Sequence, residues 1–247
     1  RWLTKNFDTP KIDLGLPTYT LKETFENVFI SYEQGIGDQI LFARFFHDLD
    51  KSKLKIYGHF NSKLIKLMKS SFKQVIFLDK IKKDQIDSHI PLGDLPGLFI
   101  NDFSDVKERS GAYLKVDKKR RDDLKKLFPK NKRICGLSWL SKNEELGLHK
   151  SICLEQLKEI LLIKDIAFVD LQYTDTSEER KEFLEKHGVE VIKFDQVDNF
   201  NDLIGLTALI DACDFILSVS NTTVHLSGAI GKKTYLMLPK GKGKLWY

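Results

Sequence analysis

The residues Glu33-Gln34-Gly35-Ile36-Gly37-Asp38 place two glycines and a carboxylate directly behind a short apolar run. A strand that turns into a helix through such a loop lets a ligand approach the backbone, and the helix start offers N–H groups without intrahelical partners. A dinucleotide fingerprint would need a third glycine where Ile40 stands, and an acid at the end of the next strand, where Tyr57-Gly58-His59 stands instead. What the loop does supply is Asp38, readable as a general base or as the acid that caps its own helix. A second cluster, Ser138-Trp139-Leu140-Ser141-Lys142 with Lys150 and Ser151 downstream, combines hydroxyls and ammonium groups. Such a set can hold phosphate oxygens, and it also reads as a polar loop with solvated lysines. A third, Ser218-Val219-Ser220-Asn221-Thr222-Thr223-Val224-His225, opens a helix with small polar residues. Amides and dipole at such a start favour an anion, and His225 one turn further on reads equally as a packed residue. Gln172 follows a strand, where a base or ribose could be read.

These loops need elements to position them. Asn27–Tyr32 reads as a buried strand, Gln39–Leu49 as a helix with Ile40, Leu41, Phe45, Phe46 and Leu49 on one face, and Lys53–Tyr57 as a strand. Ser62–Lys69 reads as a helix, Gln74–Leu78 as a strand, and His89–Phe99, with two prolines and two glycines, as a loop. The start before Phe25, with Pro10, Gly15 and Pro17, reads as irregular. The charged run Lys115–Arg133 reads as an exposed helix over Asp117–Phe128 and as the natural linker. A second alternating series follows: strands Ile134–Ser138, Ala167–Leu171, Val189–Phe194, Phe215–Ser218 and Thr234–Leu238, with helices Leu154–Ile163, Ser177–His187, Asn201–Ala212 and Asn221–Ile230. The expectation is an α/β chain of two facing Rossmann-like domains with parallel sheets and a cleft between them. Residues 1–114 form the first domain, 115–133 the linker helix and 134–247 the second domain, incomplete at its C-terminus.

Composition narrows the classes. The 247 residues are 42% hydrophobic and 30% charged, an ordinary globular balance that excludes a disordered or fibrous chain. Forty Lys+Arg against 35 Asp+Glu leave a net charge of +5 with both signs interspersed, which fits an anionic small molecule better than a nucleic acid. No apolar run approaches the ~20 residues of a membrane span. Cys135, Cys153 and Cys213 have no ligand spacing and read as reduced thiols in a cytoplasmic protein. His47, His59, His89 and His187 share no spacing and read as surface or loop residues, and no metal motif is present. The start at Arg1 and the end at Trp246-Tyr247 both read as cuts from a longer protein.

Taken together, the three loops resemble the glycosyltransferase region of bacterial tetratricopeptide-repeat proteins, related to the ADP-heptose:lipopolysaccharide heptosyltransferases. The matching stretches are Tyr32–Arg44 (YEQGIGDQILFAR), Gly136-Leu137-Ser138-Trp139 with Lys150-Ser151-Ile152, Phe168-Val169-Asp170-Leu171-Gln172, Leu203–Leu209 and Ser218–Ala229. The likeness runs from about Val28 to the end of the chain and implies a GT-B fold and metal-independent sugar transfer from a nucleotide donor to a glycan or protein. In that reading Asp38 is the base, Gly35 and Gly37 shape its loop, and Ser138, Lys150, Gln172, Ser220, Asn221, Thr222, Thr223 and His225 surround the nucleotide. Where the resembling motif has aspartate then threonine, this chain has Ser220 then Asn221, which bears on the donor sugar. The resemblance implies upstream repeats as partners in a longer chain, no cofactor and at most a peripheral membrane association. A non-catalytic nucleotide- or glycan-binding module is the competing reading, followed by a nucleotide-sugar epimerase and, below it, a Rossmann oxidoreductase.

Overall fold

A computed structural model of the chain describes residues 14–49, 54–78, 83–142 and 147–239. The expectations for Pro10, Lys53 and the Trp246-Tyr247 end fall outside these residues. The chain forms two compact units, Arg1–Lys115 and Val116–Tyr247.

In the first unit, strands β1 (Asn27–Ser31), β2 (Lys55–His59), β3 (Val75–Phe77) and β4 (Ser88–Pro91) form a parallel sheet in the order β3-β2-β1-β4. Central β1 is covered on both faces, so Val28, Phe29 and Ile30 are all fully buried and its sequence is continuously apolar. Helix α1 (Ile36–Ala43) follows β1, and α2 (Ser62–Ser71) follows β2. Leu64, Leu67 and Met68 of α2 face the core at helical spacing, and the Asn61 side chain caps the helix by accepting from Lys63 N at 3.1 Å.

Two expectations change here. The helix expected over Gln39–Leu49 breaks after Ala43, and a separate turn spans Phe46–Leu49. Between them Phe45 N donates to Phe42 O and His47 N to Arg44 O, a tighter i→i+3 pattern that carries both Phe45 and Phe46 inward. The stretch read as a loop over His89–Phe99 contains β4, paired with β1, then short helical turns at Leu92–Asp94 and Pro96–Phe99. Its prolines fit because Pro91 ends an edge strand and Pro96 takes the first helical position, where no N–H is needed. Backbone bonds from Tyr19 N to His89 O and from His89 N to Pro17 O cover that edge.

The second unit has strands β5 (Arg133–Ser138), β6 (Ile166–Asp170), β7 (Val191–Ile192), β8 (Phe215–Val219) and β9 (Thr234–Met237), all parallel, in the order β7-β6-β5-β8-β9. Its helices include α3 (Lys118–Lys125), α4 (Ser177–His187), α5 (Leu203–Ala212) and α6 (Thr222–Ala229). Cys135, Leu137, Trp139, Leu154, Leu157, Leu161, Phe168, Phe183 and Val191 make one core cluster. Helix α4 stops at Gly188, whose φ of 68° is the left-handed conformation glycine tolerates best. The expected helix over Leu154–Ile163 is two short turns, Leu154–Leu157 and Lys158–Leu161. Helix α3, read as an exposed linker, packs on α5: Leu124 and Phe128 are buried, and Arg120 pairs with Asp202 and Arg121 with Asp211. Its charges line the flanks of that contact, which a composition count cannot distinguish from full solvation.

Both sheets reverse their strand order once. In the first the chain runs outward from β1 to β3 and returns to place β4 on the other side of β1; in the second it runs from β5 to β7 and returns to place β8 beside β5. Open α/β sheets take ligands beyond the carboxyl ends of the strands at such a reversal. The segments after β1, β5 and β8 lie there, and with the first turns of the helices that follow β1 and β8 they carry Gly35–Asp38, Ser138–Lys142 and Ser220–Thr223.

Candidate functional site

At the first reversal, Asp38 stands at the third position of α1, in its first turn, and Gly35 is the N-cap with no side-chain bond of its own. The Asp38 carboxylate curls back over the loop: its Oδ2 would lie 3.5 Å from a Cβ built on Gly35. A negative charge there is favoured by the helix dipole. Gly35 has φ −60° and ψ 170°, and Gly37, expected in the loop, is the second residue of α1, which starts three residues before the expected Gln39; neither takes a positive φ, so no left-handed residue is needed here. What Gly35 provides is a bare surface beside the carboxylate. The loop is held by Gln39, only 2% exposed, whose Nε2 donates to Gln34 O at 2.9 Å and Gly35 O at 3.4 Å while its Oε1 accepts from Asn61 N at 2.9 Å.

Of the histidines of this unit His47 is exposed, as expected, but His59 and His89 are not stray surface groups. His89 is buried in β4, its Nε2 hydrogen-bonded to Ser31 Oγ at 2.8 Å and its ring stacked on Phe29. His59, at the end of β2, lies against Tyr32 with ring centroids 5.0 Å apart. Parallel pairing of β1 with both β2 and β4 brings them together, a relation that their spacing in sequence hides.

At the second reversal, side chains close a buried knot between neighbouring strand ends. Gln172 Oε1 accepts from Ser138 Oγ at 2.5 Å, Trp139 N at 2.9 Å and Leu140 N at 3.2 Å. Asn221 Nδ2 donates to Ser138 Oγ at 2.7 Å and Leu140 O at 3.0 Å, and its Oδ1 caps α6 by accepting from Thr223 N at 3.0 Å. Thr223 Oγ1 lies 3.5 Å from Ser138 Oγ. Ser138 and Gln172 are 0% and 1% exposed, so both act first on the backbone of the loop after β5. Gln172 is itself held: its N–H donates to Asp170 at 2.6 Å, and its carbonyl accepts from Lys193 Nζ and Asn199 Nδ2. The fully buried Asp170 carboxylate is matched by the Thr176 hydroxyl, Arg180 and Lys193. Sequence reading missed Gln39, Asp170 and Asn199 as supports, although Asp170 and Gln172 stood in one quoted stretch.

Ser220 is 3% exposed, and its Oγ has no hydrogen-bond partner among the described residues. An unsatisfied buried hydroxyl beside the start of α6 is a group waiting for a bond. Thr222 is the first residue of α6 and half-buried. Lys150 ends the short helix Gly147–Lys150, which Ser151 ties back by accepting from Ser141 N and donating to Gly147 O. Burial, and then the nearby Lys150 ammonium, push the His225 imidazole down to about 4. It is neutral at pH 7, leaving Lys150 as the positive group of the pair. Thus Ser138, Gln172, Ser220, Asn221, Thr223, Lys150 and His225 gather at one sheet end, while Gly35, Gly37 and Asp38 gather at the other sheet's.

Among solved structures, a glycosyl transferase of family 9 from Veillonella parvula matches with a TM-score of 0.66 at 12% identity, over 91% of this chain and 84% of its own. ADP-heptose lipopolysaccharide heptosyltransferase II of E. coli matches at 0.55 and 11%, over 85% and 84%. The fold is similar to that of family 9 glycosyltransferases. TibC, an iron-containing dodecameric heptosyltransferase of E. coli solved with ADP-D-beta-D-heptose, matches at 0.50 and 14%, over 87% of this chain and 60% of TibC. In sequence the chain is 25% identical over 237 residues to Protein FlbA of Caulobacter vibrioides, covering 86% of this chain and 39% of FlbA. It therefore spans well under half the length of that relative. No protein-family model matches. Among the described residues no helix is long and apolar enough to cross a membrane, and no three His, Cys, Asp or Glu side chains gather as a metal site.

Proposed function

We propose that this chain is a metal-independent glycosyltransferase of GT-B architecture, moving a sugar from a nucleoside diphosphate donor to a glycan or protein hydroxyl. The observation that carries the reading is the repeated placement of polar loops at the strand reversal of each sheet, in a fold similar to family 9 glycosyltransferases. The donor diphosphate sits on the start of α6, with Lys150 neutralising charge and the Ser220 hydroxyl donating to it. The Ser138–Gln172–Asn221 knot holds the loop that frames this site. Asp38 takes the proton of the acceptor hydroxyl as that oxygen bonds to the anomeric carbon. The bond from that carbon to the diphosphate breaks, and its electron pair leaves on a phosphate oxygen that the amides of α6 and Lys150 stabilise. Tetratricopeptide repeats in the longer protein, a cytoplasmic location and a division at residues 114, 115–133 and 134–247 belong to the same proposal.

A thermal-shift panel of UDP, GDP, ADP, CMP and their sugars, without added metal, tests it. A nucleotide at ~100 Kd should stabilise by about 2.7 kcal/mol. One nucleotide should shift the melt and lose its effect in Lys150→Ala. A cooperative melt unmoved by every member of the panel would rule the donor site out. The second reading, a binding module without turnover, is favoured by Ser220 standing where the resembling motif has an acid. Nucleotide binding with no sugar release would decide for it.

A further inference from the structure

We infer that Gln39 is the positioning residue of the first sheet's reversal: its buried amide sets the Gln34–Gly35 entry to α1 against the start of α2 and thereby aims the Asp38 carboxylate. The inference rests on the reading of Asp38 as the base.

Three segments meet at this side chain. Its own helix, α1, carries Asp38 one residue earlier. Its Nε2 donates backward to Gln34 O and Gly35 O, the residues that lead into that helix. Its Oε1 accepts from the backbone of Asn61, whose side chain caps α2. The register of β1 with β2 ends at Ser31 opposite His59, so the loop after β1 and the turn after β2 lie beyond the ladder. The amide of Gln39 joins the two. The Asp38 carboxylate lies against Gly35, so a shift of Gly35 moves the surroundings of the acid directly. The glutamine amide donates through Nε2 and accepts through Oε1 without carrying a charge. At 2% exposure, water cannot readily replace it.

The test reads turnover and loop order separately. The probe is release of nucleoside diphosphate, with water as acceptor, from whichever nucleotide sugar gives the largest thermal shift. Gln39→Ala and the equally long Gln39→Met should each lower kcat by about 10- to 100-fold, the range expected when a reacting group is displaced by ~1 Å. Nucleotide affinity, a property of the other unit, should stay within about twofold. In an Asp38→Ala background, Gln39→Met should lower the residual rate by less than about threefold, because there is no longer a carboxylate to aim. Gln39→Glu keeps the acceptor and puts a carboxylate before two carbonyls, so its rate relative to the parent should recover as pH falls and the acid regains a donor proton. Hydrogen exchange at Asn61 N should quicken in Gln39→Met.

Unchanged kcat in both Gln39→Ala and Gln39→Met, a full multiplicative loss in the Asp38→Ala background, or unchanged exchange at Asn61 would each overturn the inference. Parental turnover in Asp38→Ala alone would sink the base assignment instead, and the Asn61 exchange would then decide the clamp by itself.

Discussion

The two sheet reversals solve one problem with the same kind of residue and in different ways. Each hangs its loop on a glutamine that is almost fully buried, Gln39 in the first unit and Gln172 in the second. Gln39 belongs to the helix that follows its loop and reaches both back to Gly35 and sideways to Asn61. Gln172 belongs to the neighbouring strand's end, and its one carbonyl oxygen gathers three donors from the loop after β5. The second knot is denser and shared with Asn221, Ser138 and Thr223; the first leaves a bare glycine beside a carboxylate. On the proposed reading, the densely hydrogen-bonded end beside Lys150 suits a charged leaving group, and the sparsely clamped end with one acid suits proton transfer.

The sharpest break between the two ends is in turnover. Asp38→Ala should lower the rate by about 10²–10⁴-fold while leaving nucleotide affinity intact, measured by nucleotide release and by calorimetry. Parental turnover there would remove the first end from the chemistry. Next in size, Gln172→Ala strands two buried donors, Ser138 Oγ and Trp139 N, and the half-buried Leu140 N. It should destabilise by about 3 kcal/mol in denaturant melts and weaken nucleotide binding. Equal stability with and without Gln172 would show that the knot is not the frame of the second end.

Lys150→Ala should weaken nucleoside diphosphate binding by about tenfold or more. The same change should raise the His225 titration midpoint above about 4, followed by NMR, because Lys150 contributes to holding it down. His225 also sets a pH dependence. Its folded value lies below the ordinary 6.5, so the unfolded chain binds the extra proton first, and stability falls as pH drops from about 6.5 toward 4. The slope in that window should be shallower in His225→Gln by up to about 1.4 kcal/mol per pH unit, read from melts across pH. The smallest expected effect is Ser220→Ala. Its hydroxyl has no partner to lose among the described residues, so the unliganded melt should hold or rise, while donor affinity falls severalfold. A lower unliganded melt would mean that Ser220 serves the fold rather than a ligand.

The α/β alternation was legible because buried parallel strands are short continuous apolar runs and their helices repeat at 3.6 residues. The placement of Asp38, Asn221 and Thr223 at helix starts behind strands was legible for a related reason, since polar side chains have local work there. Strand β4 was not legible, since Pro91, Gly93 and Pro96 imitate a loop and only pairing with β1 makes it a strand. Helix α3 is largely exposed, as expected, but its packing on α5 was not legible, because the positions of Leu124 and Phe128 are not contained in charge composition.

By itself the amino-acid sequence determined the local elements, the two parallel α/β series and the polar loops behind β1, β5 and β8. These depend on neighbours a few residues away. Only the tertiary structure decided that β4 and β8 cross back to make the reversals, that His59 and His89 flank Phe29, and that Gln39 and Gln172 bind the loops. Those relations join residues about 20 to 80 positions apart, through buried hydrogen bonds and strand register that no local pattern encodes.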